Sequence, residues 1–138
     1  MSYHYSQRSL DNLKTCHSDL QLIFSKVIKI ADNSIVEGYR NEEDQEKYFK
    51  EGKSQVHYPH GKHNHMPSMA VHAIIYPIDW KDTKRFFWFA GLVIGIAQRL
   101  LAEGKITHTI RWGGDWDRDN DFSDQTLNDY IHFELVKE

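Results

Sequence analysis

The strongest constraint on the fold is the apolar run 86–97, FFWFAGLVIGIA, at the centre of a helix-like segment, 81–104. Its twelve residues fall short of the roughly 20 needed to cross a bilayer, so protein must cover it. It is apolar nearly all round, which predicts a buried central helix. Gly91 and Gly95 stand four apart, which predicts close approach of another element. A chain of 138 residues with 40% hydrophobic content can build one compact domain, residues 1–138, around such a helix.

The other segments read as short helices and strands. Leu10, Leu13, Leu20, Phe24, Val27 and Ile28 recur at helical spacing and predict one long helix over 9–31, capped by Ser9 and ended at Asp32-Asn33. Residues 34–39 predict a strand, and Asn41 caps a helix over 42–50. Residues 51–67 are irregular, with Gly52, Pro59, Gly61 and Pro67 as breakers. Residues 68–76 read as a strand with His72 on the face of Ala70, Ile74 and Tyr76. Strands are also predicted over 106–111 and 131–136, the last with His132 and Glu134 on one face and Phe133 and Leu135 on the other. The expected fold is α+β, with a small, mostly antiparallel sheet flanked by helices.

Bulk properties exclude some functions. A formal charge of -3 points to neither nucleic acid nor a membrane surface as partner. The single cysteine, Cys16, cannot form an internal disulfide. The N-terminal segment is polar and lacks the apolar centre of a signal peptide. The expectation is synthesis in a cytoplasm, with no stable membrane insertion.

Candidate chemistry gathers in two places. Three of the nine histidines, His63, His65 and His72, lie within ten residues; Asp129 and His132 stand three apart near the C-terminus. A zinc hydrolase needs about three protein ligands, an open position for water and a nearby base. His65 and His72 are seven apart and cannot share a face of one regular strand, so His65 must lie in the irregular segment before it. Spacing alone leaves a metal site and a chance grouping of histidines equally open. Arg40 sits at a strand-to-helix junction, where either a surface or a site arginine is found.

Four motifs in order resemble one family. HMPSMAVH (65–72) followed by YPIDW, DYIHFEL (129–135), GYR (38–40) and RWGGDW (111–116) are similar to the signatures of the zinc D-Ala-D-Ala carboxypeptidase and dipeptidase family, in its phage endolysin branch of L-alanyl-D-glutamate peptidases. The resemblance covers essentially the whole chain and implies the Hedgehog/D,D-peptidase-like fold. It implies zinc held by His65, His72 and His132, Asp129 as general base, and Arg40 binding substrate and steadying the oxyanion. His72 stands where the family has aspartate. Imidazole for carboxylate raises the charge of the site by one, which lowers the pKa of a bound water and weakens retention of the cation.

The function implied is hydrolysis of the L-Ala-D-Glu bond in the peptidoglycan stem peptide. The enzyme would be a monomer made in the host cytoplasm that reaches the wall through a holin-type pore. The alternatives are a D,D-carboxypeptidase or dipeptidase acting on D-Ala-D-Ala, and a relative that binds peptidoglycan with a site impaired at His72. Separately, Asp115, Asp117, Asp119, Asp121 and Asp124 form an alternating acidic run that can bind calcium through oxygen. The run lacks the glycine and glutamate of an EF-hand loop, holding Asn120 and Thr126 instead. A solvated acidic loop is the competing reading.

Overall fold

A computed structural model describes residues 3–121 and 129–137. Its elements are α1 (Gln7–Lys14), α2 (Ser18–Val27), β1 (Asn33–Glu37), α3 (Glu42–Lys50), a single 3-10 turn (Lys62–Asn64), β2 (Ala70–Ile75), α4 (Thr83–Ala102), β3 (Thr109–Gly113) and β4 (Asp129–Val136). The strands form one antiparallel sheet in the order β1-β2-β4-β3. The α+β architecture expected from the sequence is the one observed.

Two expectations about helices are corrected. The long helix expected over 9–31 is broken at Thr15–His17. Ser68 N donates to Thr15 O and His17 N to Ser68 O, so this segment pairs with the chain leading into β2. Thr15 Oγ1 also accepts from Tyr39 N, and His17 Nδ1 restarts the helix by accepting from Asp19 N. Asp19 then anchors α2 to the approach to β3, accepting from Thr107 N (3.0 Å) and His108 Nδ1 (2.8 Å).

The second correction concerns α4. It is not buried all round. Phe86, Phe89, Ala90, Val93, Ala97 and Leu100 face inward at helical spacing, while Trp88 is 57% exposed and Gly91 and Gly95 are open, with no neighbour within 4 Å of a Cβ at either. The complete helix has 20 residues and meets the length and composition for a membrane span, yet its apolar stripe lies on α2 and on β2, β3 and β4.

This packing gives the sheet two unlike faces. Phe133 on β4 meets Phe24 of α2 and Phe89 of α4, and with Val71, Ala73 and Leu135 it lies in the core. Cross-strand partners share a face, so the pairs His72↔His132 and Arg111↔Glu134 lie together on the other one. Burial of the first face thus decides which polar groups gather on the second.

Two glycines let backbones meet at the edges of that face. A Cβ on Gly113 would collide with the carbonyl of Asp129, and one on Gly38 with Thr15 and the carbonyl of Asn12. Gly113 is where the β3–β4 register jumps, from Trp112↔Phe133 to Gly113↔Asp129, and so it sets where β4 begins.

Candidate active site

Three histidines from three elements converge. His63 comes from the 3-10 turn, His72 from β2 and His132 from β4. Ring centroids are 4.5 Å apart for His63–His72, 5.2 Å for His63–His132 and 5.3 Å for His72–His132. One donor nitrogen from each lies within 4.8 Å of the other two.

The outer hydrogen bonds fix which nitrogens face inward. His63 Nδ1 donates to Gly38 O at 2.8 Å, and His132 Nε2 donates to Glu134 Oε1 at 2.8 Å. Carbonyl and carboxylate only accept, so these nitrogens carry the protons and the opposite ones, His63 Nε2 and His132 Nδ1, keep lone pairs. His72 Nε2 lies 3.2 Å from His132 Nδ1 and 3.3 Å from Asp129 Oδ2. His63 Nε2 is buried with no partner. Such an atom costs about 1–3 kcal/mol unless something binds it. A divalent metal would bind it, and the three imidazoles become a zinc-type donor set once the cation displaces the proton that His72 Nε2 donates toward His132 Nδ1 and Asp129.

The structure brings His63 to this cluster, not His65. Met69 N donates to Lys62 O (3.0 Å) and Arg40 N to His63 O (2.8 Å), which draws His63 in beside β2. The residues between form a loop whose tip, His65, Met66 and Pro67, is exposed. The spacing of seven treats the chain between the two histidines as continuous, whereas the backbone closes it off as a loop.

Arg40 and Asp129 line the same cleft as the three histidines. Arg40 is buried under Tyr48, 4.4 Å from its ring centroid. It donates through Nη1 to Gln45 and through Nη2 to Glu37, while its buried Nε has no partner. Gln45, fully buried, also accepts from Asn64 Nδ2 and donates to Val56 O, which braces the wall around Arg40. Asp129 Oδ2 is 4.0 Å from His132 Nδ1, and its side chain is 34% exposed, so water reaches it. A cleft of about 600 Å³ joins Arg40, His63, His72, Asp129, His132 and Trp116.

Electrostatics set the proton inventory. Burial is the main influence holding His63 well below the ordinary imidazole value, helped by His72, His132 and Arg40. Burial likewise lowers His132, against the upward pull of Glu134. Burial pushes Asp129 up, but the hydrogen bond to His72 and the charges of His72, His132 and Arg40 bring it below the usual carboxylate value.

The buried rings stay neutral where the unfolded chain takes up protons. The stability they contribute is present above about pH 6.5 and lost as the pH falls below it. Thermal denaturation of the metal-free protein should therefore show a melting temperature nearly flat above about pH 7 and falling steadily toward about pH 5.

Glu134 and Glu37 are the site residues missing from the sequence reading, which names His63 in the histidine cluster but does not assign it as a ligand. Glu134 was detectable, two residues from His132 on an alternating strand. It is buried, and it also accepts from Arg111 Nη2 at 2.6 Å.

In the acidic loop, Asp115, Asp117 and Asp119 offer oxygens within 4.8 Å of one another, and Asp121 is not part of that group. Asp115 is buried; its Oδ2 accepts from Asn120 N, and its Oδ1 is buried without a partner. Asp124 and Thr126 lie outside the described residues.

The antiparallel sheet thus carries on its open face a histidine cluster that could hold a metal ion, with Asp129 and the buried Arg40 lining the same cleft. The phage L-alanyl-D-glutamate peptidase family model matches residues 1–136, and the chain belongs to that family of peptidoglycan hydrolases. The fold is similar to that of the Serratia marcescens L-Ala D-Glu endopeptidase ChiX, with a TM-score of 0.68 and 24% identity over 96% of this chain and 90% of that one. No curated protein sequence matches the chain.

Proposed function

We propose that the protein is a zinc-dependent endopeptidase that cuts the L-Ala-D-Glu bond of the peptidoglycan stem peptide, with His63, His72 and His132 as the metal ligands. The observation that carries this is the buried, unpartnered Nε2 of His63, beside a lone pair on His132 and the inward nitrogen of His72. Zinc held there would act as a Lewis acid and acidify a water, so that even a weakly basic carboxylate suffices to take its proton.

The remaining chemistry falls to the chain's own groups. Asp129 is ionised at neutral pH, reachable by solvent and adjacent to the cluster, so it accepts the proton of the attacking water and returns it to the leaving amine. Arg40 is held rigid by Glu37, Gln45 and Tyr48 and presents its charge to the developing oxyanion.

Calcium at Asp115, Asp117 and Asp119 is the second part of the proposal. It is supported by the unpartnered Oδ1 of Asp115, and it would order the loop carrying Trp116 and Asp117 into the cleft wall. The reading extends to a monomeric, single-domain enzyme that acts on the wall after passage through a holin-type pore.

Digestion of purified peptidoglycan, with metal analysis of the same preparation, tests this. About one zinc per chain and new N-terminal D-Glu, lost with a chelator and restored by zinc, is the expected result. Release of terminal D-Ala, or an intact stem peptide, would overturn it. Calcium should raise the melting temperature where magnesium does not.

A further inference from the structure

Glu37 reaches the site through an irregularity in β1. The pairing runs Ile35↔Ala73 and then Glu37↔His72, with Val36 left over as a bulge. In a regular strand, Glu37 would share the face of Ile35, which is 1% exposed in the core. The extra residue turns the carboxylate over to the face of His72. There Glu37 Oε1 lies 3.4 Å from His72 Nδ1 and also accepts from Arg40.

The three rings now form a consistent set. His63 is anchored through its outer nitrogen by Gly38 O, His132 by Glu134, and His72 faces Glu37. Three neutral imidazoles bring no negative charge to a divalent cation. A carboxylate behind a ligand histidine supplies it and fixes the ring tautomer.

We propose that Glu37 is a positioning residue for the metal site: when the cation displaces the proton on His72 Nε2, Glu37 accepts the proton on Nδ1, which fixes Nε2 as the binding nitrogen and places a negative charge behind the ring. This rests on the three-histidine reading above. Among the described residues, Arg40 and Asp129 are charged groups in contact with this pair: Arg40 shares the carboxylate, and Asp129 lies on the Nε2 side.

The test is zinc affinity, measured by competition with a chromophoric chelator, in a cycle of Glu37→Gln and His72→Asp. The natural chain is titrated first. If it takes up no zinc, the three-histidine reading fails before Glu37 is touched, and this inference falls with it. Given binding, Glu37→Gln should weaken it about 10–100-fold. Beside the introduced aspartate, Glu37 becomes a like charge, so adding Glu37→Gln to His72→Asp should leave affinity unchanged or raise it. An equal loss in both backgrounds, or a change under about twofold in the natural one, would overturn the proposal.

Should the His72→Asp chain not fold, cobalt substitution decides. The visible spectrum of the cobalt-loaded natural protein should shift on Glu37→Gln. An unchanged spectrum would mean that the carboxylate serves Arg40 alone.

Discussion

Replacing His63 by alanine is expected to abolish zinc retention and peptide hydrolysis, while replacing His65 by alanine leaves both within about twofold. The contrast follows from burial and direction: His63 is 3% exposed with an unpartnered inward nitrogen, and His65 stands in solvent. Loss of a direct ligand should cost more than the roughly 10–100-fold typical of an outer partner. Removing His63 also removes the depressed buried imidazole, so the metal-free variant should lose part of the acid sensitivity of the natural protein. Zinc content after dialysis, together with turnover of a synthetic stem peptide, checks both variants. If His65→Ala lost zinc and His63→Ala kept it, the ligand set would be wrong.

Asp129→Asn should lower kcat by about 10²–10⁴ while zinc content and KM change little. The amide keeps the shape and cannot accept the proton. Position matters as much as chemistry here. The backbone of Asp129 lies against Gly113, and its Oδ2 lies 3.3 Å from His72 Nε2, so the carboxylate is held at the cluster. Steady-state kinetics with metal analysis separate base from ligand. A fall in kcat that tracked lost zinc would make Asp129 a ligand.

Much of this site was legible because its residues sit on regular elements. Alternation over 131–136 put His132 and Glu134 on one face and Phe133 and Leu135 on the other, as the sheet has them. Asn41 does cap a helix over Glu42–Lys50, accepting from Asp44 N, and this places Gln45 behind Arg40.

Errors arose where backbone hydrogen bonds between distant segments overrode local pattern. The break at Thr15–His17 is imposed by Ser68, more than fifty residues away. The choice of His63 over His65 is made by Lys62 O and His63 O, which accept from Met69 and Arg40. The bulge at Val36 leaves no mark in an apolar alternation, yet it decides that Glu37 joins the site.

Side-chain type and periodicity were enough, without coordinates, to determine an α+β sheet protein and the strand bearing His132, while the histidine-carboxylate chemistry came from the motif resemblance. Only the tertiary structure decided which histidine enters the cluster, which nitrogen each ring presents and which carboxylates stand behind them. Those choices depend on pairing between residues far apart in the chain, where one extra residue or one closed loop turns a side chain from solvent or core into the site.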